Sequence, residues 1–219
     1  MVKIKVSKKR LVKGPHQFIS VSDRILTYIS NNARTLIFIS VAFFIVVGIL
    51  VGLWIHRGIL EKEALTLYYR AHQKDGSLAK DLQELTERYP HTAIARCALL
   101  ELGNIYYKNH DIDKAISAYQ RYEKHSSHGN LRLLVYDSLG YCFESKGDYV
   151  KASQFFKKII KEKGDFLHEM AYINLGRVYE KAGNTTDAIR NYQEFIKRYP
   201  SSPYLPMIKD RLSKLTQEK

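Results

Sequence analysis

Leu102-Gly103-Asn104-Ile105-Tyr106-Tyr107-Lys108-Asn109-His110-Asp111-Ile112-Asp113-Lys114-Ala115, followed by Tyr119, is the stretch that decides the fold, because its spacing returns twice. The copies read Leu139-Gly140…Phe143…Ala152…Phe156 and Leu175-Gly176…Tyr179…Ala188…Tyr192, with identical internal offsets. The glycine advances by 37 residues and then by 36. A repeat of that period marks a helical solenoid, whose units cannot bury their apolar faces alone and must stack. Solenoids mostly bind other molecules, so the pattern argues against an enzyme. The spacing predicts that Gly and Ala sit where two antiparallel helices cross, where a side chain larger than methyl would push the backbones apart. The aromatics fill the space on either side. Asn109-His110-Asp111, Gly147-Asp148 and Gly183-Asn184 supply the turns.

These residues resemble the tetratricopeptide repeat (TPR), and Leu102–Ala115 follows that helix–turn–helix consensus nearly residue by residue. The third copy ends in Tyr199-Pro200, matching the family's helix-stopping proline. The family repeat is shorter, and the extra residues are expected in the links Lys124–Asn130 and Lys161–Asp165. A weaker copy upstream places Leu65, Tyr69, Leu78, Leu82, Leu85 and Tyr89-Pro90 in the same slots, with Thr66 for Gly and Leu78 for Ala. Terminal repeats are often atypical because they cap the stack. Pro203–Leu215 reads as one more amphipathic helix, with Tyr204, Met207, Ile208 and Leu212 on a face. The expected fold is all-α: one transmembrane helix, then a TPR solenoid of about four helix pairs and a capping helix.

The transmembrane expectation rests on Leu36–Ile55, which has no charge and one hydroxyl, Ser40. As a helix it spans roughly 30 Å, the hydrocarbon thickness of a bilayer. Trp54 sits at one end, where an indole suits the interface. A cleaved signal peptide is disfavoured by the length of the run, by the residues before it, and by Trp54-Ile55-His56-Arg57, which offers no small-residue cleavage site. Residues 1–34 carry Lys3, Lys5, Lys8, Lys9, Arg10, Lys13, Arg24 and Arg34 against Asp23, so +7 of the chain's +13 lies beside the anchor. Positive flanks stay cytoplasmic, which places the repeats outside. The tail also suits anionic lipid, and concentration of the charge there argues against nucleic acid. Phe18, Val21, Ile25, Tyr28 and Ile29 predict a short amphipathic helix, begun by a capping pair Ser20/Asp23 and ended near Asn31-Asn32. Gly48 and Gly52 form a GxxxG that would permit a dimer. The predicted organisation is a tail over 1–34, an anchor over 35–57 and a repeat domain over 58–219.

No cofactor or metal is expected. His125-x-x-His128 lacks further ligands nearby in sequence and reads as a solvated loop. Cys97 and Cys142 lie at the second and tenth positions of neighbouring first helices, an offset of about 12 Å that a disulfide cannot bridge. Both are expected to be free and largely buried. The TPR resemblance implies a concave face lined by the first helix of each pair. This nominates Cys97, Leu100, Asn104, Tyr107 and Lys108; Leu134, Asp137, Tyr141, Glu144 and Ser145; and Met170, Ile173, Arg177, Glu180 and Lys181. From these, Leu100, Asn104, Tyr107, Lys108, Asp137, Tyr141, Glu144, Ile173, Arg177 and Glu180 form the candidate partner groove, with Tyr107, Tyr141 and Arg177 as free anchors. Their mixture suits a protein segment. Of the residue set with which one TPR subclass grips a C-terminal carboxylate, only Asn104 matches; Leu100, Ser138, Met170 and Asn174 stand where the others belong.

The plan of basic tail, surface helix, anchor and external repeats resembles the bacterial ancillary SecYEG translocon subunit (YfgM-like) family. That resemblance implies an inner-membrane protein meeting translocon subunits, periplasmic chaperones or secreted clients. Tyr199-Pro-Ser-Ser-Pro203 is also similar to two envelope TPR groups, the outer-membrane assembly lipoprotein BamD and the Tol-Pal-associated division coordinator. The first carries a lipid-bearing Cys that is absent here, and the second is released by signal cleavage.

Overall fold

A computed structural model describes residues 21–73, 76–125, 129–162 and 167–217, with side chains from residue 25 onward. Among these residues the chain is all-helical. The order is α1 (Val21–Asn31), α2 (Ala33–Gln73), α3 (Leu78–Arg88), α4 (Ala93–Lys108), α5 (Ile112–His125), α6 (Asn130–Ser145), α7 (Tyr149–Lys161), α8 (His168–Lys181), α9 (Thr185–Arg198) and α10 (Leu205–Gln217). Two compact units meet between His56 and Arg57, a point inside α2.

In the first unit, α1 stops at Asn32, whose side-chain amide donates to the Tyr28 carbonyl at 3.0 Å. The expected amphipathic helix is present, while Phe18 and Ser20 lie outside the described residues. Ile25, Leu26, Tyr28 and Ile29 are exposed, as are Phe38, Phe44, Leu50 and Trp54 along α2. Among the described residues α2 is the one helix long and apolar enough to cross a membrane. A Cβ built on Gly48 or Gly52 would meet nothing within 4 Å, so packing inside the chain does not require either glycine.

The second unit is the repeat stack. Its pairs are the C-terminal part of α2 with α3, then α4/α5, α6/α7 and α8/α9, closed by α10. Leu99, Leu139, Phe156, Val178 and Ala188 belong to the central part of the core, with further apolar groups toward either end. The repeat glycine answers to a ring rather than to a crossing backbone. A Cβ on Gly103, Gly140 or Gly176 would lie 2.3, 2.5 or 2.2 Å from Cε1 of Tyr119, Phe156 or Tyr192. Even the methyl that the sequence reading tolerates is therefore excluded. The aromatic sixteen residues on lies flat in the notch and is fully buried.

The turns repeat as closely as the core. His110, Gly147 and Gly183 have φ of 64°, 74° and 70°. The next residue's N–H returns to the carbonyl five back: Asp111 to Tyr106, Asp148 to Phe143, and Asn184 to Tyr179, at 2.8–2.9 Å. This is a Schellman closure, which requires the left-handed region. Asp148 and Asn184 then cap α7 and α9 by accepting from Lys151 and Asp187 N–H.

Two expectations at the ends of the stack are corrected. In the first pair Leu65 and Tyr69 are exposed, whereas Ala64 and Ala71 are buried with Leu82 and Leu85. The inward stripe of α2 is thus Ala64, Leu67, Tyr68 and Ala71, displaced from the slots read by analogy with the later repeats. In α10 the buried face is Ile208 with partly buried Leu212 and Leu215; Tyr204 and Met207 are 41% and 40% exposed. The spacing of 208, 212 and 215 follows one helix stripe, and the other two residues fall beside it.

Candidate functional site

Polar side chains join the first helix α2 to α4, α6 to α8, and α8 to the capping helix α10. Between α2 and α4, Tyr68 donates to Glu101 at 2.8 Å and His72 Nε2 lies 2.9 Å from the same carboxylate. Burial, then this hydrogen bond, pushes the Tyr68 hydroxyl up to about 12. Between α6 and α8, Arg177 donates to both oxygens of Glu144 at 2.9 and 2.7 Å, and Lys181 pairs with Glu144 at 2.9 Å. Burial raises the Glu144 carboxyl, but the donors outweigh it and hold the group below its ordinary value. Between α8 and α10, Arg211 donates to Glu180 at 2.9 Å.

The sequence-nominated residues fall into three environments. Asn104, Tyr107 and Lys108 are exposed on α4, with the Asn104 carbonyl accepting from Tyr119 at 2.7 Å. Leu100 is partly buried against the core, and Ile173 is core itself, 8% exposed against α9 and α10 groups. Ile173 is therefore corrected from groove to core: its position on α8 turns toward Tyr192 and Phe195 rather than outward. Asp137, Tyr141, Glu144, Arg177 and Glu180 come together only as members of bonded sets. Tyr141 packs its ring edge-on to Phe156 at 5.7 Å, lies under the Arg177 guanidinium at 5.2 Å, and donates to Asn174 at 3.0 Å. Tyr141 and Arg177 are thus not free anchors. Each is already held by its own chain.

Sequence reasoning names Asn174 only as a departure from the carboxylate-gripping set and misses its place between Tyr141 and Asp137. Asn174 is fully buried, accepts from Tyr141, and donates through Nδ2 to Asp137 at 3.1 Å. A fixed amide between two polar side chains of the preceding first helix leaves no periodic signal. The available hint was an Asn in an otherwise apolar run. Burial pushes the Asp137 carboxyl up to about 6.

The two cysteines differ from expectation in one respect. Both are free, but Cys97 is exposed while Cys142 is buried, its thiol pushed up to about 12 by burial. Position 97 falls on the open side of α4, and position 142 turns into the stack. The His125 ring stands 5.8 Å from that of His91, and burial lowers its pKa. His128 lies outside the described residues. At the end of the row, a cleft of about 510 Å³ is lined by Glu180, Met207, Asp210, Arg211, Lys214 and Leu215.

Residues 62–218, which carry the whole stack, match the family described as YfiO: outer membrane lipoprotein. The chain belongs to that family. The match begins after the apolar stretch of α2, and the 219 residues hold cysteine only at 97 and 142, both inside repeat helices. A tetratricopeptide repeat protein of Parabacteroides merdae superposes with a TM-score of 0.59 at 16% identity, covering 73% of this chain and 61% of that one. PilF of Pseudomonas aeruginosa gives 0.50 at 16%, covering 74% and 68%. Both show the TPR fold alone. In sequence, the uncharacterized protein ycf37 of Cyanophora paradoxa is 38% identical over 63 residues, 29% of this chain and 36% of that protein. The CTR9 homolog of Arabidopsis thaliana is 29% identical over 79 residues, 35% of this chain and 7% of that protein. The chain therefore spans about a third or less of either curated relative.

Proposed function

We propose that this YfiO-family chain is a membrane-tethered TPR adaptor that holds protein partners on the extracytoplasmic face of the bacterial inner membrane. The observation that carries the reading is α2, one helix containing both the uncovered apolar stretch Leu36–Ile55 and the first helix of the repeat stack. A bare apolar helix of that length is costly in water and stable in a bilayer. The +7 of residues 1–34 supports a cytoplasmic N-terminus, with the tail and the apolar face of α1 against anionic head groups. Gly48 and Gly52, with nothing packed on them, leave that face open to a second anchor. In place of the lipid-bearing cysteine of the outer-membrane assembly lipoprotein, a helix serves as tether.

The finer role is assistance to protein export, with translocon subunits, periplasmic chaperones or secreted clients as partners. A second reading, a scaffold in outer-membrane assembly, is favoured by the family match over residues 62–218. Protease added outside spheroplasts should remove the repeats and leave the tail intact; protected repeats would reverse the topology and end both readings. Crosslinking in detergent then separates them. Translocon subunits are expected under the first and outer-membrane assembly proteins under the second.

A further inference from the structure

Seven carboxylates stand on the first helices, of which Glu61, Glu63 and Glu169 accept from the Ala93 N–H, the Tyr89 hydroxyl and the Ser202 hydroxyl. The other four are Glu101, Asp137, Glu144 and Glu180. Three of these are answered from within the chain. Glu101 has Tyr68 and His72, Glu144 has Arg177 and Lys181, and Glu180 has Arg211 and the Tyr192 hydroxyl. Asp137 has a neutral amide donor, Asn174, and among the described residues forms no ion pair. Arg177 acts on it at a distance but commits Nε and Nη2 to Glu144.

The carboxylate is also held in place. Asn174 must present its NH₂ to Asp137, because its carbonyl accepts from Tyr141, and Tyr141 is pinned by Phe156. Leu134, one helical turn before Asp137, is half-buried, as is Asp137 itself. A half-buried carboxylate on a rigid, partly apolar surface retains a desolvation cost that a cation would offset. Its raised pKa reflects the same deficit.

We propose that Asp137 receives a basic side chain, the guanidinium of Arg or the ammonium of Lys, from a protein segment lying across α6 and α8. This rests on the first-helix face being the partner face. It assigns the α6–α8 part of that face a charge preference opposite to the carboxylate-gripping TPR subclass, since Arg177 and Lys181 of α8 are already paired with Glu144. Charge-assisted hydrogen bonds of Asp137 with the incoming group provide the selectivity.

The test uses the full chain in detergent and three small probes: the Nα-acetyl methylamides of arginine, lysine and citrulline. Side-chain amide resonances of Asn174 and backbone resonances of residues 134–141 are followed by NMR. Saturable shifts with arginine or lysine, at least about ten-fold weaker with isosteric neutral citrulline, are expected, and the arginine and lysine arms decide which cation is preferred. Asp137→Asn, which keeps the Asn174 contact, should remove the discrimination. Equal response to citrulline, or no saturable response at α6, overturns the proposal whether or not a partner has been crosslinked. Should Asp137→Asn fail to fold, the wild-type arms alone decide. Probe binding at Asp137 combined with partner crosslinks confined to another face would instead refute the partner-face reading and leave this site standing.

Discussion

A carbon added at Gly176 would sit 2.2 Å from Cε1 of Tyr192, a ring that is fully buried and tethered by its hydroxyl to Glu180 at 2.6 Å. The ring cannot swing aside without breaking that bond. Gly176→Ala should therefore destabilise by about 1–3 kcal/mol, and Gly176→Leu by more, because overpacking forces the backbone to move. Thermal melts check this; a Leu variant melting at the wild-type temperature would show that the ring is not where it is described. Asp137 yields a prediction of sign. Burial raises its carboxyl from 3.8 to about 6 in the folded chain. The folded state binds the extra proton between those values, so stability from this group is full below about pH 4 and falls as pH rises toward 6. The swing is on the order of 3 kcal/mol. Asp137→Asn should then gain in melting temperature relative to wild type between pH 4 and pH 7. A constant difference across that range would contradict the burial of the carboxylate.

The pairing of α6 with α8 is where the expected groove was most altered. The TPR resemblance nominates Tyr141 and Glu144 of α6 and Arg177 of α8 as groove residues, but these side chains meet one another before they can meet a partner. Replacing Tyr107, Tyr141 and Arg177 together by Ala should weaken partner recovery and also lower the melting temperature. Most of the thermal loss should come from Tyr141, which takes away the edge contact of Phe156 and the donor to the buried Asn174 carbonyl, and from Arg177, which leaves Glu144 half-neutralised. Tyr107→Ala alone, at an exposed site, is expected to change stability by under about 0.5 kcal/mol. A triple variant with an unchanged melt would mean the α6–α8 network contributes nothing to the fold. At the ends of the stack the same lesson holds for α2 and α10. Analogy to the interior repeats chose Leu65 and Tyr69 where Ala64 and Ala71 are buried, and the amphipathic pattern of α10 added Tyr204 and Met207 to the Ile208 and Leu212 that line its inner face. An end helix has a neighbour on one side, so its inward stripe is narrower and rotated relative to that of an internal repeat.

For the whole chain, the division at Arg57 implies that the stack holds its own core. A chain of residues 57–219 should be helical and melt in a single cooperative transition without detergent, as circular dichroism would show. Failure to fold would mean that the stack depends on the preceding segment. The sequence alone determined the all-helical class, the repeat period, the turn positions and the apolar segment of α2. Those properties are periodic or compositional: a Gly and an aromatic recur sixteen residues apart, turn residues follow each first helix of the internal pairs, and a bilayer-length run contains no charge. Only the tertiary structure decided which polar groups of the first helices remain open. Pairing of Glu144 with Arg177, seating of Asn174 between Tyr141 and Asp137, and exposure of Cys97 opposite burial of Cys142 depend on distances of about 3 Å between residues more than thirty positions apart or on which side of a helix a neighbour covers. No local spacing encodes these, because the neighbour that satisfies or covers a side chain arrives only when the repeats stack.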